Sequence, residues 1–136
     1  MTTYLLDANV LIALVIREHE HHMRAATWLG GVDRFAVCPI VEGALVRFVL
    51  RMGESVDTAR ALLAGVHGHA RCDFWPDDLA YPRADLDGVR GHRQVTHFYL
   101  ASLAASKGGR LATLDQGLAR ARPEAVSLIP AEGATS

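Results

Sequence analysis

Thr3-Tyr4-Leu5-Leu6-Asp7-Ala8-Asn9-Val10-Leu11-Ile12-Ala13-Leu14-Val15-Ile16 decides the fold class of this chain. Its opening Thr3 to Leu6 is a short β-prone apolar run, whereas the stretch resuming at Val10 is too long and too apolar to continue the same strand. The polar Asp7-Ala8-Asn9 between them reads as a turn, with Asn9 as the cap of a buried helix. The same strand, polar turn and helix alternation recurs downstream. A helix over His21 to Leu29, with Met23, Ala26 and Leu29 inward, ends at Gly30-Gly31, and Phe35 to Cys38 forms a second buried strand. Pro39 suits the first turn of a helix in which Val41, Leu45, Phe48 and Val49 recur at helical spacing. Ser55 caps another through Val56, Ala59, Leu62, Leu63 and Val66, which leads into a third strand at Arg71 to Trp75.

Pro76 to Arg93, rich in Pro, Gly, Asp and Arg, reads as a long loop with one helical turn, and connections of that length are often functional. Helix Val95 to Ser106 offers Val95, Phe98, Tyr99, Leu103 and Ala104 to the core and ends at Gly108-Gly109. Strand Arg110 to Thr113, helix Gln116 to Ala121 and strand Val126 to Ile129 complete the series. The pattern predicts an α/β fold, a three-layer α/β/α arrangement around a mostly parallel five-stranded sheet, as one domain over residues 1–130 with a disordered tail at 131–136.

The 136 residues are 50% hydrophobic and 21% charged, with 14 Lys plus Arg against 15 Asp plus Glu. This is the composition of one folded domain and excludes a generally basic coat for nucleic acid, leaving room for a local basic patch. No apolar run reaches the roughly 18 residues of a membrane span, so the expectation is a cytoplasmic protein without a membrane partner. Cys38 and Cys72 lie in apolar stretches and read as buried, reduced and structural. Trp28, Trp75, Phe48 and Phe98 read as core aromatics, and His19, His21 and His22, beside Glu18 and Glu20, as a solvated helix entrance rather than a metal site.

In parallel α/β sheets, ligands bind at the carboxyl ends of the strands, where strand order reverses. Asp7 follows the first strand, Asp115 the fourth, and Glu42 lies in the first turn of the helix after the second. His97 stands at the start of the helix after the third strand and its loop. Each acid taken alone is a common helix-start residue that serves a cap or the dipole. Together on one edge they would repel one another unless a cation neutralised them, and Mg²⁺ suits a site of carboxylates plus substrate phosphate. Hydrolysis of a nucleic-acid backbone is the chemistry such a site performs.

The chain resembles the PIN-domain family, and within it the VapC toxins. Tyr4-Leu5-Leu6-Asp7-Ala8-Asn9-Val10-Leu11 is similar to the family's first motif, and Cys38-Pro39-Ile40-Val41-Glu42-Gly43-Ala44-Leu45-Val46-Arg47 to its second. Gly91 to Ala104 aligns with the third and Gly109 to Leu118 with the fourth. The resemblance implies a metal-dependent endoribonuclease, using Mg²⁺ or Mn²⁺, in which Asp7 and Asp115 hold metal and Glu42 binds it through water or positions the attacking water. It implies outer hydrogen-bonding roles for Asn9 and Thr113, RNA contacts by Arg47, Arg90, His92 and Arg93, a homodimer, and inhibition by a VapB-type antitoxin. The chain departs from the family where His97 stands in place of an Asp directly after Thr96. An imidazole suits Mg²⁺ poorly, so the expectation is better support by Mn²⁺, with Asp77, Asp78, Asp85 and Asp87 as possible compensating acids. Rival readings are a DNA nuclease, a PIN fold disabled by His97 and kept for binding or regulation, and a phosphoacceptor domain. The last needs a lysine late in the chain, whereas Lys107, the sole lysine, ends a helix.

Overall fold

The computed structural model describes residues 1–131. Five strands, β1 (Thr3–Leu6), β2 (Arg34–Val37), β3 (Cys72–Phe74), β4 (Arg110–Thr113) and β5 (Val126–Leu128), form one sheet in the order β3-β2-β1-β4-β5. Every neighbouring pair is parallel, so the expected mostly parallel sheet is wholly so. The helices that flank it are α1 (Ala8–Val15), α2 (His22–Gly30), α3 (Pro39–Arg51), α4 (Val56–His67), α5 (Val95–Ser106) and α6 (Gln116–Ala121). The chain winds outward from β1 through β2 to β3, then crosses back to β4 on the other side of β1. Strand order therefore reverses between β1 and β4, the crevice where such sheets bind ligands.

Pairing of Leu5 with Leu111 and of Leu6 with Ala112 continues at the carboxyl edge by setting Asp7 beside Thr113. Alternation along β1 sends Tyr4 against Trp28 of α2, edge to face at 5.4 Å, and turns Leu5 and Asp7 to the opposite face, toward α5. On that face α5 is buried on more than one side. Phe98, Tyr99, Leu100, Ala101, Leu103 and Ala104 are all buried: the expected Val95 is only half-covered, while Leu100 and Ala101 join the core because the 76–93 segment lies across the side of α5 away from the sheet. Tyr99 Oη donates to Leu79 O at 2.8 Å, and Ser102 Oγ accepts from Asp85 N at 3.0 Å. That segment holds two 3₁₀ turns, Tyr81–Arg83 and His92–Gln94, where one helical turn was expected.

The passage from α5 into β4 needs both its glycines. Gly108 has φ +75°, and a Cβ on Gly109 would lie 2.4 Å from Thr3 O. Other expectations are corrected by packing. Asp7, not Asn9, caps α1, since Asn9 reaches across to the β4–α6 turn. Met23 and Ala26 face outward and Ala25 fills the inner side of α2. In α4 only Ala59 is fully buried, Val56 is exposed, and Leu62 and Val66 are half-covered. Cys72 is half-buried rather than buried; burial pushes its thiol up to about 11 and that of Cys38 up to about 12. Of the expected tail, only Ala131 falls among the described residues.

Candidate active site

Asp7 and Thr113 are the buried polar side chains among the described residues, at 1% and 0% exposure. Burying a carboxylate demands partners, and Asp7 has a separate set for each oxygen. Its Oδ1 accepts from Ala8 N at 2.8 Å and so caps α1, while Oδ2 accepts from Thr113 Oγ1 at 2.7 Å. Thr113 is the hub of the crevice. Its hydroxyl oxygen also accepts from Asn9 Nδ2 at 3.3 Å and from Asp115 N at 3.1 Å. Asn9 closes the link by accepting from Leu114 N through Oδ1 at 3.2 Å. The ends of β1 and β4 are thus tied together by three side chains from two sequence segments about a hundred residues apart.

Asp115 repeats the geometry of Asp7. Its Oδ1 accepts from Leu118 N at 3.0 Å and caps α6, which leaves Oδ2 directed elsewhere. Both remaining Oδ2 atoms face His97: Nδ1 lies 2.9 Å from Asp7 and Nε2 lies 3.9 Å from Asp115. The shorter approach is out of line for a hydrogen bond, which leaves Nδ1 buried without an aligned partner. Contact with the Asp7 carboxylate raises the imidazole pKa above the ordinary histidine value; burial opposes this and Asp115 adds to it. Capping and site geometry therefore coexist in each aspartate, one oxygen serving each.

Glu42, in the first turn of α3, stands apart from this pair. Its Oε2 contacts Nε2 of His67, in the last turn of α4, and the His67 ring packs 5.9 Å from Phe74. Among the described residues, no three His, Cys, Asp or Glu side chains stand close enough to enclose one metal ion. The loop acids go elsewhere: Asp78 pairs with Lys107 at 2.7 Å, Asp85 with Arg122 at 3.0 Å, and Asp77 keeps one oxygen buried and unpartnered. Arg47, Arg90, His92 and Arg93 are exposed, the Arg47 guanidinium folding back over Gly43. In the histidine-rich stretch, His22 Nδ1 meets Ala13 O at 2.8 Å and His19 Nδ1 accepts from His21 N, so backbone groups occupy both rings.

Sequence reasoning missed His67 and Arg122. His67 becomes a partner of Glu42 only because α3 and α4 pack on each other, which places a first turn against a last turn. Arg122 Nη2 donates to Asp85 Oδ1 at 3.0 Å and contacts Asp87 O, and its guanidinium lies 4.7 Å over the Phe98 ring. A basic residue just after a short helix carries no local sign of either role.

The family model for the PIN domain matches residues 4–123. Ribonuclease VapC29 of Mycobacterium tuberculosis H37Rv is 53% identical over 129 residues, covering 94% of this chain and 97% of that protein. Ribonuclease VapC39 of the same strain is 40% identical over 127 residues, covering 86% and 91%. Among solved structures, VapBC2 from Rickettsia felis, bound to a DNA fragment from its promoter, contains a chain of the same fold. Its TM-score is 0.67 at 14% identity, covering 95% of this chain and 100% of that one. FitAB bound to an IR36 DNA fragment gives 0.57 at 21% identity, with 92% and 94% covered. The α/β fold with a parallel five-stranded sheet flanked by helices is the architecture these structures share with the chain. The chain belongs to the PIN-domain family, in its VapC branch.

Proposed function

We propose that this VapC-type ribonuclease toxin hydrolyses RNA phosphodiesters in a metal-dependent reaction centred on Asp7 and Asp115. The observation that carries the proposal is the pair of Oδ2 atoms at the β1/β4 switch point. Each belongs to an aspartate whose other oxygen is spent as a helix cap, and the His97 imidazole lies beside both. Two carboxylates without an enclosing third acid fit a hard divalent cation that completes its shell with water and substrate phosphate. Asp7 and Asp115 would hold it, His97 would sit beside it, and when bound it supplies charge stabilisation at the phosphate and a more acidic water.

The chain's own residues supply the rest. Thr113 and Asn9 fix the Asp7 carboxylate and the β4–α6 turn, an outer-shell task. The oxygen of an attacking water forms the new bond to phosphorus as a proton of that water passes to the departing ribose oxygen; Glu42, turned to His67 between α3 and α4, would have to leave that contact to orient the water. Arg47, Arg90 and Arg93 meet RNA phosphates, a local basic contribution on a chain of net charge −1. Purified chain should bind Mn²⁺, detected by electron paramagnetic resonance, and Asp115→Asn should release it. Cleavage of a structured RNA pool in Mg²⁺ and Mn²⁺ but not EDTA, with a DNA pool left intact, supports the reading. Cleavage insensitive to EDTA overturns it. Silence of the native chain with recovery in His97→Asp favours a nuclease disabled by the imidazole between its acids.

The inhibitory partner is an antitoxin of the VapB type. Its seat is the open groove of about 470 Å³ between α1, α2 and α4, walled by Leu11, Leu14, Val15, Leu29, Leu62 and Val66. This groove leaves Leu62 and Val66 half-covered, and an amphipathic helix laid into such a channel buries its apolar face there. In Gly65 the groove has a wall with nothing within 4 Å of an added Cβ. Gly65→Leu should fill the channel and weaken antitoxin binding in a pull-down while leaving RNA cleavage intact.

A further inference from the structure

A second, smaller cavity of about 130 Å³ opens between the start of α5 and α6. It shares His97 and Asp115 with the acid pair, and its other walls are Gln94, Phe98, Gly117, Leu118 and Ala121. We infer that this cavity seats one unpaired nucleobase of the RNA, beside the phosphate that is cut. The inference rests on the ribonuclease reading and names the substrate feature that the site selects.

Size and lining both point to a base. The volume falls well below the roughly 300–1,000 Å³ of pockets that enclose a drug-sized ligand, so the cavity takes a fragment rather than a whole nucleotide or a base pair. Phe98, Leu118 and Ala121 give it an apolar, partly aromatic lining, and Gln94 gives it a carboxamide. This is the pairing by which proteins hold splayed-out RNA bases, contact with the ring and hydrogen bonding at its edge. The floor is firm: Phe98 is buried, and Arg122 lies over its ring while being tied to Asp85 and Asp87 of the loop across α5. Gly117 adds no side chain to the wall. A Cβ there would come 3.3 Å from Asp115 Oδ1, the oxygen that caps α6, so the bare backbone leaves that cap uncrowded.

The polar rim also has a sense. Gln94 Oε1 already accepts from Arg90 N at 2.6 Å, so the group left for a ligand is its NH₂ donor. The cavity therefore favours a base that presents an acceptor edge. Because Asp115 belongs to both spaces, a phosphate bridged to the carboxylates by a divalent cation would have its own nucleoside within reach of the cavity. The cleavage site is then single-stranded, with one base turned out of its stack.

Single-turnover cleavage of a randomised single-stranded RNA in Mn²⁺, read by sequencing the cut ends, tests this with Gln94→Ala and Ala121→Leu. Gln94 and Ala121 are both exposed at the rim, so neither exchange disturbs the core, and thermal melting checks that. Native protein should discriminate among bases at one position flanking the cut. Gln94→Ala should reduce that discrimination about threefold to tenfold, the worth of one hydrogen bond. Ala121→Leu should slow the preferred RNA at least tenfold while cutting an RNA abasic at that position at the native rate. Base preference unchanged in both variants overturns the subsite and leaves the ribonuclease reading standing. A native chain that cuts no RNA in any metal overturns the ribonuclease reading and the subsite with it.

Discussion

Thr113 shows how much one hydroxyl carries in this crevice. It donates to Asp7 and accepts from Asn9 and from Asp115 N, so the near-isosteric Thr113→Val leaves a buried carboxylate oxygen and a backbone N–H without partners. Unfolding in urea should show a loss of about 1–3 kcal/mol. RNA cleavage should fall by roughly 10–100-fold, the usual cost of losing an outer partner of a metal ligand. On the proposed reading, His97 sets the choice of metal. Replacing its imidazole by a third carboxylate in His97→Asp should raise Mg²⁺-supported cleavage relative to Mn²⁺, because hard cations prefer oxygen donors. A ratio of the two rates unchanged across metal titrations would remove His97 from that role. Both aspartates were legible in the sequence because each directly follows a strand and precedes a helix. The cap was misplaced by two residues, since Asn9 is a good cap by type and its bonds to Thr113 and Leu114 come from a strand more than a hundred residues away.

At the scale of elements, β3 is an edge strand and is held in part by charge. Arg34 donates to Asp73 Oδ2 and Oδ1 at 2.9 and 2.6 Å, a paired contact between β2 and β3. The guanidinium holds the Asp73 carboxyl below the usual carboxylate range. A carboxyl with a depressed folded-state pKa contributes stability above its unfolded-state value and loses it as pH falls through the folded-state value. Asp73→Asn should therefore melt below the native chain at pH 7, and the gap should close in acid below the carboxylate range. A gap independent of pH would assign the loss to packing. In α4, Gly65 is exposed and helical with open space at its Cβ, so Gly65→Ala should stabilise the chain by about 0.5–1 kcal/mol in urea unfolding. The half-open state of α4 was hidden in its sequence. The spacing of Leu62, Leu63 and Val66 says that one side is apolar but not that α1 and α2 leave part of that side uncovered. Helix α5 was under-read for the converse reason, because a loop without periodicity of its own buries the second side.

For the whole molecule, the strand order places the chemistry. Alternation of strands and helices made the parallel sheet and its acidic edge legible from the sequence, yet not that β4 lies beside β1, the fact that joins Asp7 to Thr113 and Asp115. Glu42 shares the edge in sequence but is drawn to His67 by the packing of α3 on α4, a contact that no motif encodes. The same winding leaves the apolar groove on the α1/α2 face and the acid pair on the α5 face, so the proposed antitoxin seat and the proposed cleavage site are separate surfaces that substitutions can address independently. The most direct test of the account is single-turnover cleavage of one RNA by native protein and by Asp7→Asn, in Mn²⁺ and in EDTA. Asparagine keeps the α1 cap, so both proteins should show the same secondary structure by circular dichroism. The native chain should cut in Mn²⁺ and not in EDTA, and Asp7→Asn should reduce that cutting by more than a hundredfold. Equal cutting by the two proteins, or cutting that persists in EDTA, would contradict it.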